Sequence, residues 1–302
     1  MTGRRSDKAG PVLLAMLAAA GPAAASGVAA AEDRKPYAES EEVAPASRLA
    51  PCSQRIPAVR TNPLSVSQDP EDALKAALGA GRFLGVEKNV VIRPGEIGGG
   101  GMLRVRYPEG SINFGSADDG APLGGAAFYV PFTAGRTACL HYEVRFPADF
   151  EFAKGGKLPG LYAGKAPSGG DKVTGRNGWS LRLMWREDGE GELYEYVYNK
   201  KGKYGLSVGR GTFSFPRDRW VGIDLEVIVN DPDQRNGKAR LWIDGRPVIQ
   251  QDDIVFVTKQ GDAEEKGLMF STFFGGNDKS WASPKDQHVD FANFRFHAEE
   301  AR

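Results

Sequence analysis

The chain has 302 residues, and 41% of them are hydrophobic, enough for a packed core and too many for a disordered chain. Its 39 Lys and Arg balance 39 Asp and Glu, so it lacks the basic excess of a general nucleic-acid binder. Glycine is abundant at 39 residues without a collagen period, and 16 Phe, 9 Tyr and 5 Trp accompany it, a composition suited to turns joining aromatic-rich strands.

Residues 1–31 read as a secretory signal. Arg4, Arg5 and Lys8 supply a positive start, Val12 to Ala20 a short apolar run, and Ala29-Ala30-Ala31 a cleavage site. The run is shorter than the ~20 residues that span a bilayer. Without this segment the chain keeps 36 basic and 38 acidic residues, so an acidic ligand requires locally concentrated positive charge. Residues 32–62 are polar with several Pro and Ala, and read as a flexible arm or linker. Residues 63–302 read as one domain. Cys52 lies in the arm and Cys139 in the body; export permits a disulfide that would tether the arm, and two free thiols are the alternative. Together with His141, His288 and His297 they show no metal-ligand spacing, so neither a metal nor a cofactor is expected.

One helix is predicted. Asp69 is its N-cap, Pro70 its first residue, Glu71 and Asp72 favour the positive dipole end, and Gly79 or Gly81 ends it. Period-two patterns then dominate, at 103–107, 140–146 and 221–229, in a hairpin over 241–249 turning at Asp244-Gly245, and at 267–274 and 289–296. Such strands with almost no helix predict an all-β, antiparallel sandwich of jelly-roll type.

The chemistry falls between residues 154 and 198. As a strand, 179–186 puts Ser180, Arg182, Met184 and Arg186 on one face and Trp179, Leu181, Leu183 and Trp185 on the core face. After the turn-forming 187–191, Tyr194, Tyr196 and Tyr198 share a face. With Arg186 opposite Glu192, the hairpin pairs Met184 with Tyr194, Arg182 with Tyr196, and Ser180 with Tyr198. Glu195 points to the core face, an objection to this arrangement. A solvated sheet face is the ordinary alternative, but tyrosines suit stacking on sugar rings and donating to hydroxyls. Upstream, 154–164 reads as a Gly-rich loop that either exposes Lys157 or holds it over this face as a fixed cation.

Lys154 to Leu161 (KGGKLPGL), Ser180 to Arg186 (SLRLMWR), Glu192 to Tyr196 (ELYEY), and Phe270 to Gly276 followed by Trp281 resemble polysaccharide lyase family 14 in sequence and order, over about residues 130–296. The resemblance implies a jelly-roll enzyme that cleaves a uronate polysaccharide, such as alginate, polymannuronate or glucuronan, by β-elimination without a required metal. By motif, Lys157, Ser180, Arg182, Tyr194 and Tyr196 match the family's catalytic positions. Removing a C5 proton beside a carboxylate requires fixed cations, here Lys157 and Arg182 with Ser180 donating a hydrogen bond. It also needs a base and an acid for the leaving O4. Nearby cations are expected to lower a phenol's pKa, so Tyr194 and Tyr196 can divide these roles, with Lys157 as an alternative base. Arg186 and Tyr198 are expected to contact neighbouring sugars. The expected partner is an acidic polysaccharide, with no nucleic acid, no membrane after signal cleavage, a monomeric state and a secreted or periplasmic location. A non-catalytic carbohydrate-binding sandwich is the competing reading. A glycoside hydrolase is a weaker third, needing two carboxylates facing the cleft.

Overall fold

The protein is described from a computed structural model over residues 49–299, except 62–63, 98–99, 118, 134, 260–264 and 277. The expected signal at 1–31 and the first part of the expected arm lie outside the described residues. The elements begin with α1 (Cys52–Arg55), β1 (Ala58–Arg60), α2 (Pro70–Leu78), β2 (Gly81–Leu84), α3 (Val86–Asn89), β3 (Val90–Pro94), β4 (Gly101–Tyr107), β5 (Ala126–Thr133) and β6 (Thr137–Arg145). They continue with β7 (Gly155–Gly164), β8 (Gly178–Arg186), β9 (Gly191–Tyr196), β10 (Leu206–Val208), β11 (Trp220–Ile228), β12 (Gly237–Ile243), β13 (Arg246–Ile254), β14 (Lys266–Phe274) and β15 (Gln287–Ala298).

Two antiparallel sheets form a jelly-roll sandwich. One runs β13-β12-β11-β6-β15-β4-β3, with β1 added on β15; the other runs β10-β9-β8-β7-β14-β5-β2. The period-two segments of the sequence became strands because each has one apolar face to bury. Leu140, Tyr142 and Val144 of β6 are fully buried between the sheets, as are Val221, Ile223, Leu225 and Val227 of β11. The hairpin of β12 and β13 turns at Asp244 and Gly245, both at positive φ (49° and 74°), as an Asp-Gly two-residue turn requires. The expected helix is α2: Asp69 Oδ1 accepts from the Asp72 N–H at 2.9 Å, Gly79 caps the end at φ 64°, and Leu74 and Leu78 form its buried stripe. Two single-turn helices, α1 and α3, accompany it.

The second half of the expected arm is bound to the sandwich. The S–S bond joins Cys52 of α1 to Cys139 of β6, Arg55 pairs with the buried Glu226 at 2.7 Å, and β1 pairs with β15. The thiols are therefore not free. Among the described residues, no helix is long and apolar enough to cross a membrane.

An aromatic core underlies the candidate site. Trp185 packs edge-on against Tyr107, Phe146, Phe150 and Phe274, with ring centroids 5.3–6.1 Å apart. This fixes β8, and with it everything on the opposite face of that strand.

Candidate active site

The stretch 154–164 is not a loop. It is β7, a central strand paired to β8 on one side and β14 on the other. Its glycines permit close approach rather than a bend: a Cβ on Gly156 would lie 2.1 Å from the Trp185 ring. The register shifts between Leu158 and Gly160, so Pro159 occupies a bulge whose carbonyl accepts from Tyr142 Oη at 3.0 Å. The bulge is why a period-two reading misses this strand. Before it, Lys157 shares the outer face with Met184; beyond it, Gly160 and Tyr162 do, opposite Arg182 and Ser180.

The β8–β9 hairpin keeps its predicted faces but not its predicted register. The actual pairs are Ser180–Tyr196, Arg182–Tyr194 and Met184–Glu192. The turn closes earlier than expected, with the Arg186 N–H donating to the Glu190 carbonyl at 2.7 Å around a short 3-10 turn at 187–189. The slip is two residues, and an even slip leaves every side chain on its own face.

Lys157, Arg182, Tyr194 and Tyr196 are brought together. Lys157 Nζ stands 4.2 Å from the centroid of the Tyr194 ring and 2.8 Å from Met184 Sδ, with no carboxylate in ion-pair reach among the described residues. Burial, then the charges of Arg182 and Arg186, hold its pKa well below that of an ordinary lysine, against a smaller opposite pull from Glu192. Arg182 is 2% exposed, and its Nε has no hydrogen-bond partner among the described residues. Burial lowers its pKa too. The two tyrosine rings meet edge to face at 5.9 Å. Tyr194 is raised above an ordinary phenol, because burial and neighbouring Tyr196 outweigh the Gly205 N–H and the two arginines. The expectation that cations would lower it fails here: desolvation is the larger effect in the free protein.

Two loops cover these groups. The Gly170 N–H donates to Tyr196 Oη at 2.9 Å and the Gly205 N–H to Tyr194 Oη at 3.1 Å. A Cβ on Gly205 would come within 2.6–2.8 Å of both rings, so only glycine fits. Lys200 Nζ holds the second loop by donating to the carbonyls of Gly202, Lys203 and Tyr204. Ser180 is fully buried and donates to the Pro167 carbonyl at 2.6 Å, so its hydroxyl anchors the first loop in this state.

The two residues expected to contact neighbouring sugars, Arg186 and Tyr198, are held differently. Arg186 is 5% exposed and bound to the fully buried Glu192 at 2.5 Å, and Glu192 also accepts from Ser207 Oγ. Arg186 is therefore already charge-paired, on the same face as Arg182. Tyr198 lies beyond the end of β9: the chain turns so that Val197 is buried and the Tyr198 N–H donates to the Val255 carbonyl, leaving its ring 47% exposed. Gly170, Gly205 and Met184 escaped sequence reasoning as site residues. For Met184 the signal was its face; for the two glycines none existed, because their role is set by loops that fold back from elsewhere.

The polysaccharide lyase 14 profile matches residues 97–294. A crystal structure of an alginate lyase from Aplysia kurodai is 27% identical, with a TM-score of 0.66 covering 79% of this chain and 98% of that one. An alginate lyase from a Chlorella virus has the same fold at 21% identity, TM-score 0.66, covering 80% of this chain and all of that one. Exolysin from Paramecium bursaria Chlorella virus 1 is 28% identical over 178 residues, which are 49% of this chain and 27% of that protein; the chain thus spans about a quarter of this relative.

Proposed function

Because the chain belongs to polysaccharide lyase family 14, we propose that it cleaves a 1,4-linked polyuronate of the alginate, polymannuronate or glucuronan type by β-elimination, leaving 4,5-unsaturated uronate ends. The observation that carries this reading is Arg182, a buried guanidinium with no carboxylate partner among the described residues, beside a lysine and two tyrosines. A buried cation without a counter-ion is costly, and a substrate carboxylate supplies the missing charge.

In this reading Arg182 neutralises the uronate carboxylate, which stabilises the charge that builds on the sugar as the C5 proton leaves. The environment pushes Lys157 and Tyr194 in opposite directions, and such divergence marks base and acid. Lys157, favoured as the neutral amine, takes the C5 proton. Tyr194, favoured as the protonated phenol, gives its proton to the departing O4. Tyr196, held by Gly170, fixes Tyr194 edge-on. Ser180 and Arg186 keep the loop and the strand in place.

Hydrolysis is disfavoured by the carboxylates at hand. Glu192 is committed to Arg186 and Ser207, and Glu195 lies on the opposite face beside Leu181. We read residues 1–31 as an export signal and the acidic polymer as extracellular. The test is incubation with alginate, polymannuronate, polyguluronate and glucuronan, followed by ultraviolet absorbance of the conjugated product. Absorbance growth with one of them supports the reading; binding without any growth selects the non-catalytic alternative.

A further inference from the structure

The sheet face that carries the candidate site runs on past a buried cluster of Tyr162, Ala166 and Met269. The pairs Tyr194–Arg182, Arg182–Gly160, Gly160–Met269, Met269–Tyr129 and Tyr129–Gly81 form one row across β9, β8, β7, β14, β5 and β2. From Arg182 to the edge strand this row spans about 19 Å at the usual ~4.8 Å between strands. At its far end the pairing of β2 with β5 is irregular between Gly81 and Leu84, and Arg82 has φ 55° within that irregularity. Such a bulge re-aims a side chain. Arg82 is turned over the same face, its guanidinium carbon 4.2 Å from the Tyr129 centroid and 5.7 Å from that of Tyr162. The two rings meet edge to face at 5.1 Å, and Tyr162 Oη reaches Glu265 Oε1 at 3.4 Å. Arg82 is exposed and forms no ion pair among the described residues.

We infer that Arg82, braced on Tyr129 and Tyr162, is a second carboxylate-binding position, which holds a uronate unit of the same polymer away from the bond being cleaved. It rests on the polyuronate-lyase reading. A guanidinium over a ring loses rotational freedom; Arg82 also hydrogen-bonds to Tyr162, and its other in-plane donors stay available to a carboxylate. Tyr129 links the two cations, since it lies close enough to Arg182 to act on its charge. Glu265, beside the Tyr162 hydroxyl, is an acceptor for sugar hydroxyls at the same position. A polymer with one carboxylate on each unit can meet Arg182 and Arg82 together; a short oligomer cannot.

The test compares wild type, Arg82→Ala and Arg82→Lys by initial rates on alginate and glucuronan over a range of salt. For whichever polymer the wild type cleaves, Arg82→Ala raises KM about tenfold, as loss of one charge-assisted contact implies. Its effect falls on KM rather than kcat, and KM becomes less sensitive to salt. Arg82→Lys recovers part of the affinity. Thermal melts show whether each variant is folded. An unchanged KM for Arg82→Ala on a polymer that the wild type cleaves overturns this inference and leaves the lyase reading standing. A rise in KM that follows only a fall in Tm, with salt dependence intact, makes Arg82 structural and also overturns it. No cleavage of any polyuronate by the wild type removes the lyase reading and this position with it.

Discussion

Replacing Arg182 by Met should make the free protein more stable and nearly inactive. The guanidinium is 2% exposed, its Nε is unpaired, and no carboxylate lies in ion-pair reach among the described residues. Removing an ion of this kind from water costs several kcal/mol even after relaxation. Met retains most of the apolar stem, so the variant should gain about 1–3 kcal/mol in unfolding free energy. The same change removes the group that meets the substrate carboxylate, and loss of one such electrostatic contact lowers kcat by about 10²–10³. Urea unfolding followed by tryptophan fluorescence reads the first effect, since Trp179, Trp185 and Trp242 are fully buried. The ultraviolet assay reads the second. If Arg182→Met instead loses several kcal/mol, the guanidinium has a structural partner and is not an uncompensated cation. If it keeps near-normal activity, Arg182 does not hold the carboxylate.

The lowered pKa of Lys157, caused first by burial, sets a pH dependence. Between that lowered value and the ordinary ~10.4 of lysine, the unfolded chain binds a proton that the folded one does not, so stability rises with pH across the window and Lys157→Met flattens the rise. In the same window kcat/KM increases as Lys157 loses its proton, then falls once Tyr194 ionises above the ordinary phenol range. Glu192→Gln leaves the buried Arg186 without its carboxylate and should cost about 3–5 kcal/mol in a denaturant titration; a smaller loss than 1 kcal/mol, read on the scale of an exposed pair, would contradict the buried pairing. Cys52→Ser with Cys139→Ser opens a link between residues 87 apart in sequence and should lower stability by about 2–5 kcal/mol. Because that bond lies on the other sheet, kcat of the folded variant should match wild type.

Most of the sandwich was legible because strands such as 140–146 and 221–229 alternate cleanly and each needed a core for one face. Lys157 was legible as a residue but not as part of a strand: four glycines and a proline within 155–164 mimic a loop, and the bulge at Pro159 breaks the alternation. The tyrosine face survived a wrong register because the slip was even. What sequence did not reveal is which charges are already satisfied. Arg182 and Arg186 share one strand face, four residues apart, yet only the fold shows Arg186 consumed by Glu192 and Arg182 left open. Tyr198 continued the alternation on paper, while burial of Val197 and the bond to Val255 ended the strand. The loop carbonyl that takes the Ser180 hydroxyl, and the N–H groups that reach both phenols, come from chain segments whose paths no local pattern fixes.

β-Elimination takes up no water, whereas hydrolysis takes up one, placing its oxygen on the new reducing end and a proton on the other. Cleavage of the preferred polyuronate in heavy-oxygen water, with the products weighed by mass spectrometry, therefore separates the two reactions. Unsaturated ends without solvent label, formed by wild type and lost in Lys157→Ala and Tyr194→Phe, are the predicted result. Saturated non-reducing ends with heavy oxygen on the new reducing ends, or unsaturated ends formed equally well by both variants, would contradict it.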